Sequence, residues 1–155
     1  RISRIWISLA IRRIIVPVDG SRLAERAIPW SVKLARLFRA RLVFLHVYPE
    51  APGRGPGYSI FNFDALQKRI TRLCGELRRE GVRAAFQLQR GDAAGRIVEF
   101  CAPQDLIVTT SHGRGGFNHW VFGSVAERLI QHAEVPVVVY KTPAQAKKAI
   151  LKEVS

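Results

Sequence analysis

The sequence predicts an α/β protein, a doubly wound parallel sheet of five strands with helices on both of its faces. Five short runs rich in Val, Ile and Leu carry this prediction, because strands buried on both faces of a parallel sheet are apolar with few interruptions. Segments with apolar residues at helical spacing separate these runs. Parallel neighbours need crossover connections, and the alternation of strands with helices provides them.

The first strand is predicted over residues 14–18 (IIVPV), a run that is mostly β-branched. Asp19-Gly20-Ser21 breaks it. Ser21 is suited to cap a helix that continues through residue 39, because its hydroxyl can accept from a free amide of the first turn. Apolar residues recur through this segment at helical spacing, and Pro29 predicts a kink in the helix interior.

The second strand is predicted over residues 41–47 (RLVFLHV). Residues 48–60 hold three prolines and three glycines, which indicates a loop. An amphipathic helix is expected over residues 62–80, ended by Gly81. The third strand, residues 82–90, is more polar than the others, so we place it near an edge of the sheet.

The remaining elements complete the alternation. Asp92 opens a short helix, and the fourth strand covers residues 105–110 (DLIVTT). Residues 111–121 are rich in glycine and predict an irregular segment. A helix over residues 124–133 leads to the last strand, residues 135–140 (VPVVVY).

One domain accounts for most of the 155 residues, with an expected extension over residues 1–12, the domain over residues 13–141 and a basic tail over residues 142–155. The formal net charge is +13, which favours an anionic partner. Residues 1–13 and 141–155 contribute seven of these charges. We therefore expect no specific nucleic-acid site, and nucleic-acid binding stays an alternative supported by charge alone.

Several classes of protein are excluded on motif. Cys74 and Cys101 form no C-x-x-C pair and fit no zinc spacing, so we expect buried or half-buried thiols, no metal site and a cytoplasmic protein. The longest apolar run near the start, residues 5–11, is far shorter than the ~20 residues that span a bilayer. The chain has no P-loop, no G-x-G-x-x-G and no nucleophile elbow. No residues suggest a catalytic group, and we expect a protein that is not an enzyme.

Two strand exits carry residues suited to a ligand, since doubly wound sheets bind ligands beyond the carboxyl ends of their strands. Asp19 follows the first strand and could accept from a ribose hydroxyl or an adenine amine. The glycines after the fourth strand and the helix start at Ser124 offer backbone amides to a phosphate. The residues alone support a nucleotide site and a plain loop, with Asp19 as a helix cap, about equally.

The chain resembles the universal stress protein family over residues 13–141. The stretches that carry the resemblance are residues 15–21 (IVPVDGS), Leu45-His46-Val47 and residues 106–140. Members of the family that bind ATP carry the pattern G-x2-G-x9-G-[ST]. Gly113, nine intervening residues and Gly123-Ser124 match it here, whereas Thr110 stands at the first glycine.

The resemblance implies the strand order 3-2-1-4-5, with an adenosine site between the ends of strands one and four. It implies ATP as ligand, with or without Mg²⁺. The implied contacts are Pro17, Val18 and Asp19 at the adenine and ribose, Val47 on the base, Thr109 and Thr110 beside the ribose, and Gly113, Gly123, Ser124 and Val125 at the phosphates.

The implied function is that of a stress-response regulator that binds an adenine nucleotide and hydrolyses ATP slowly at most. Pairing of the last strand, from Val135 to Tyr140, is implied to form a homodimer, and an apolar edge strand is consistent with such pairing. The alternative is a dimeric interaction module that binds no nucleotide, which Thr110 favours. His46 is expected to be a buried histidine with its hydrogen bonds satisfied.

Overall fold

A computed structural model describes residues 10–49, 60–111 and 123–141, with side chains from Phe63 onward in the helix that begins at Ile60. Its strands are β1 (Arg13–Pro17), β2 (Arg41–Tyr48), β3 (Ala84–Arg90), β4 (Asp105–Ser111) and β5 (Val137–Lys141). They form a sheet in the order β3-β2-β1-β4-β5, and every neighbouring pair is parallel. The predicted fold class and strand order are confirmed, and β3 lies at an edge as expected.

The helices occupy both faces of this sheet. They are α1 (Arg22–Glu25), α2 (Ile28–Phe38), α3 (Ile60–Arg79), α4 (Ala93–Phe100) and α5 (Ser124–His132). Two of the predicted caps are present. The Ser21 Oγ accepts from the amide of Ala24 at 3.1 Å, and the Asp92 Oδ2 accepts from the amide of Gly95 at 2.9 Å.

The prediction of one continuous helix from Ser21 through residue 39 is wrong, because the segment forms two helices. The structure divides it into α1 and α2, and Pro29 lies in the first turn of α2 rather than in a helix interior. The first turn has no intrahelical partner for its amides, so the missing N–H of proline costs nothing there. Arg39 then ends α2 in the left-handed conformation, with φ at 53°.

The alternation of side chains along the strands creates two hydrophobic cores. Ile14 and Val16 of β1 pack on one face in a core that includes residues of α2 and α3. Ile15, between them in sequence, packs on the other face with Ile97 of α4 and Leu129 of α5. A central strand with both faces buried explains why β1 is apolar at every position from 14 to 16.

A partly buried ion pair joins the amino ends of β1 and β4. Asp105 is 1% exposed and accepts from the Arg13 Nε at 2.8 Å and from the Ala102 amide at 2.8 Å. Its hydrogen bond to Arg13 raises the pKa of that guanidinium. The two residues are register partners, so the pair holds β1 and β4 in the alignment that brings their carboxyl ends together.

The last strand begins later than the predicted residue 135. Pro136 has no amide hydrogen to donate, and β5 starts after it, at Val137. The predicted tail over residues 142–155 lies outside the described residues, as does the predicted extension up to residue 9. Among the helices that the structure describes, none is long and apolar enough to cross a membrane.

Candidate nucleotide site at the carboxyl ends of β1 and β4

A cavity of about 240 Å³ opens where β1 and β4 end. These strands are neighbours at the centre of the sheet, and the connections that follow them turn to opposite faces, which leaves a crevice between them. The cavity is lined by Pro17, Val18, Asp19, Ala24, Leu45, Val47, Ala93, Ile97, Thr109, Thr110, Gly123, Ser124, Val125 and Ala126.

Nine of the ten residues that the sequence analysis assigns to the site line this cavity. Gly113, the tenth, lies outside the described residues. Five apolar residues that line the cavity were not predicted from the sequence: Ala24, Leu45, Ala93, Ile97 and Ala126. Leu45 could have been found, because it precedes Val47 by two residues and so faces the same side of β2.

The apolar wall of the cavity is formed by Leu45 and Val47 of β2 and by Ile97 of α4. Leu45 and Ile97 belong to the core on that face of the sheet, and Val47 packs against it. Well-packed aliphatic side chains of this kind form a rigid surface suited to an aromatic ring.

Asp19 supplies a carboxylate at the rim of the cavity. Its Oδ1 accepts from the amide of Ser21 at 2.8 Å, in a turn that Gly20 allows with a φ of 87°. Ser21, not Asp19, caps α1. The second oxygen of Asp19 has no hydrogen bond to any described residue, so it is open to a hydroxyl or amine donor from a ligand.

The amino end of α5 supplies amide donors. Gly123 is its N-cap residue and gives no side-chain hydrogen bond, and Ser124 is exposed at the first helical position. The amides of the first turn therefore lack a side-chain acceptor from the cap, and the helix dipole favours an anion at this end. Gly123 has an ordinary φ of −63°, so what glycine offers here is space rather than an unusual backbone.

Thr109 and Thr110 lie near the carboxyl end of β4, in regular extended backbone. Thr110 pairs in register with Tyr140 and is 4% exposed. In the part of the chain that the structure describes, Arg39 is the one residue other than glycine with a positive φ. The prediction that Thr110 continues an unbroken strand is confirmed.

Arg128 and Asp92 form an ion pair beside the cavity, which the sequence analysis did not foresee. The Arg128 Nη1 donates to the Asp92 Oδ1 at 2.8 Å, which joins the middle of α5 to the N-cap residue of α4. This hydrogen bond, with that from the Gly95 amide, lowers the pKa of Asp92, and it raises the pKa of Arg128. Among the described residues, no group of three His, Cys, Asp or Glu side chains could hold a metal ion.

His46 departs from expectation in part. It is buried, as predicted, and its Nδ1 lies 2.8 Å from the carbonyl oxygen of Val18. Its Nε2 is buried without a hydrogen-bond partner among the described residues. The prediction of a fully satisfied histidine is therefore wrong for one of its two nitrogens.

Comparison with known proteins identifies relatives over nearly the whole described region. Residues 10–141 match the model of the universal stress protein family. A universal stress protein of Methanocaldococcus jannaschii is 30% identical over 145 residues, which cover 85% of this chain and 83% of the relative. A universal stress protein of Mycolicibacterium smegmatis is 30% identical over 132 residues, and the chain spans only 45% of its length.

Solved structures agree on the fold. A universal stress protein family member from Burkholderia pseudomallei superposes with a TM-score of 0.58 at 29% identity, covering 86% of this chain and 96% of that one. The universal stress protein of Archaeoglobus fulgidus, solved in complex with dAMP, superposes with a TM-score of 0.60 at 23% identity, covering 84% and 98%. Others were solved with cAMP or with AMP. The family model, the sequence relatives and the fold agree, and the chain belongs to the universal stress protein family.

Proposed function

We propose that this protein binds an adenine nucleotide, ATP, in the cavity between β1 and β4, and acts as a regulator in the response to stress. One observation carries the proposal. An apolar wall, a carboxylate and a helix amino end converge on one cavity at the carboxyl ends of two central strands. These three groups complement the three parts of an adenosine phosphate. The apolar wall suits the flat ring, the carboxylate suits the ribose hydroxyls, and the helix amino end suits the chain of anionic phosphates.

The arrangement suggests how the nucleotide would lie. The adenine ring packs against Val47 and Leu45, within reach of the backbone of Val18. The ribose hydroxyls donate to the free oxygen of Asp19, with Thr109 and Thr110 on their other side. The adenine nucleotides in the solved relatives support this choice of ligand.

The phosphates would lie at the start of α5. Gly123, Ser124 and Val125 line the cavity there, and we expect the amides after Gly123 and the hydroxyl of Ser124 to contact the phosphates. The sequence pattern also assigns Gly113, which lies outside the described residues, to the phosphates. Mg²⁺, if present, would arrive with the phosphates, because this cation keeps most of its waters and is seldom held by a protein cage alone.

We further propose that the protein is a binder and not an efficient ATPase. Asp19 is the one carboxylate among the described residues that line the cavity, and its place at the ribose end removes it from the γ-phosphate. Among the described residues that line the cavity, no second carboxylate and no histidine could act as a base at that phosphate, so we expect hydrolysis to be slow at most. Such a protein changes partners with its bound nucleotide rather than turning it over.

A second candidate function is a dimeric interaction module that binds no nucleotide. Thr110 favours it, because its buried side chain occupies a position where the ATP-binding pattern has glycine. Both candidates share the proposed homodimer. Its basis is the edge strand β5, which pairs with β4 on one side and exposes 40% of Val138.

Calorimetric titration of ATP into the wild type and Gly123→Val tests the nucleotide proposal. The added side chain stands where a phosphate would approach, so we expect at least a tenfold loss of affinity. Gly75→Val is the matched control, since a Cβ at Gly75 meets nothing within 4 Å and lies in α3, away from the cavity. Equal affinity in all three proteins, or no ATP binding by the wild type, contradicts the proposal. Native mass spectrometry of the fresh wild type adds a check, because a co-purified nucleotide would appear as added mass.

A further inference from the structure

A buried imidazole lies directly behind the proposed adenosine site. His46 is in β2 between Leu45 and Val47, which face the cavity, so its own side chain points to the opposite face of the sheet. It is 6% exposed there, and its ring centroid is 5.9 Å from that of Phe63 in α3. It has no contact with the cavity and therefore cannot touch a nucleotide bound in it.

The hydrogen bonding of His46 is one-sided. A carbonyl oxygen only accepts, so the Nδ1 that lies 2.8 Å from the Val18 oxygen carries the hydrogen. In the neutral ring Nε2 is then an acceptor, and it is buried without a partner in the described part of the chain. An unsatisfied buried nitrogen lowers stability, and Leu42 and Phe44 on the same face of β2 show that apolar side chains fit this environment. The imidazole is thus explained by its single bond to Val18 and not by core packing.

That bond completes the fixation of Val18 on β2. The Val18 amide donates to the Leu45 oxygen at 2.9 Å, and the Val18 carbonyl accepts from His46. Both backbone groups of Val18 are held just after β1 ends and just before Asp19. The direction in which the chain leaves the sheet, and with it the location of the Asp19 carboxylate, depends on this attachment.

We propose that His46 is a positioning residue for the adenosine end of the site, acting through Val18 on Asp19. This inference rests on the proposed nucleotide function. It goes beyond that function in assigning a role to a residue on the far side of the sheet from the ligand. It also predicts that binding of the adenosine part of the nucleotide depends on His46 and that binding of the phosphates does not.

Two substitutions separate positioning from packing. His46→Asn retains an N–H at the place of Nδ1, whereas His46→Leu retains bulk and loses the donor. By calorimetry, we expect His46→Leu to weaken the binding of both ATP and adenosine about tenfold, and His46→Asn to stay within threefold of the wild type. Ser124→Ala, at the phosphate end, should weaken ATP binding and leave adenosine binding unchanged. Equal affinities for His46→Leu and the wild type overturn the positioning role alone, and a wild type that binds neither ligand overturns the proposed function with it.

A double-mutant cycle tests the route through Asp19. If His46 acts by placing that carboxylate, His46→Leu should cost little further affinity for adenosine in an Asp19→Asn background. Full additivity of the two losses contradicts the route. Should His46→Leu fail to fold, His46→Gln replaces it, because its amide extends one carbon further and does not place an N–H where Nδ1 lies. The cycle and the rescue by asparagine then proceed unchanged.

Discussion

Replacing Thr110 with glycine restores the first glycine of the ATP-binding pattern, and we expect the affinity for ATP to change by less than tenfold. The reason is the backbone. Thr110 continues β4 in register with Tyr140, in a conformation that any residue adopts, so glycine relieves no strain. The hydroxyl that is lost contributes about 1 kcal/mol if it bonds the ribose, against the ~1.4 kcal/mol that tenfold in affinity requires.

The same substitution should lower stability. It removes a buried β-branched side chain from a strand next to the centre of the sheet. A glycine in a strand interior costs about 0.5 to 1 kcal/mol, and each buried carbon adds about 0.8 kcal/mol. The side chain has two such carbons, so we expect the free energy of unfolding in urea to fall by about 2 to 3 kcal/mol.

Thr110→Val is the matched control for these measurements, because it keeps the shape and loses the hydroxyl. Calorimetry with ATP should give similar affinities for Thr110→Val and Thr110→Gly if the hydroxyl is the only group that matters. A gain of much more than tenfold in Thr110→Gly would refute the reasoning. It would mean that the threonine side chain obstructs the site and that the interaction module without nucleotide is the better account.

Three further predictions concern the edge strand, a thiol and the ion pair of Arg13 with Asp105. The register of β4 and β5 directs the Val138 amide toward β4 and the Val139 amide outward. Val139→Pro should therefore abolish a homodimer in sedimentation while the monomer stays folded. Val138→Pro should instead destabilise the monomer itself, because it removes a donor to β4. A wild type that sediments as a monomer at micromolar concentration contradicts the dimer. Burial, with a nearby carboxylate, raises the pKa of Cys101 to about 11. The rate of its alkylation by iodoacetamide should therefore be slow at pH 8 and rise about tenfold per pH unit toward pH 11, because the thiolate is the reactive form. Fast labelling at pH 8 would show the thiol to be more accessible than described. Arg13→Met leaves the buried Asp105 carboxylate without its cation and should lower the free energy of unfolding by about 2 to 3 kcal/mol. Arg36→Met, in an exposed ion pair, should lower it by less than about 1 kcal/mol. Equal losses in the two variants would contradict this ranking.

The fold could be predicted from the sequence because its determinants are local. The apolar run at Ile14, Ile15 and Val16 indicates a strand buried on both faces, and the two cores confirm that reading. The break before α2 could not be predicted as easily. Pro29 is compatible with a kink in one helix or with the first turn of a second, and only the tertiary placement of α1 and α2 decides between them.

The candidate site was predictable to the extent that it follows from strand ends. Asp19 and Ser124 were found because each comes directly after or before a clear element boundary. The ion pair of Asp92 with Arg128 and the hydrogen bond of His46 to Val18 join residues 36 and 28 positions apart. No spacing rule relates such residues, so their pairing emerges only when the sheet and its helices are assembled.

An NMR titration of the uniformly ¹⁵N-labelled protein with ATP tests the central claim most directly, because it reports binding and its location together. The account predicts amide shifts at Val18, Asp19, Val47, Thr110 and Ser124, where the cavity lies, and none along the β3 edge over Ala84–Arg90. Amides that do not shift at millimolar ATP, or shifts confined to the β3 edge, would contradict the claim that the nucleotide binds between β1 and β4.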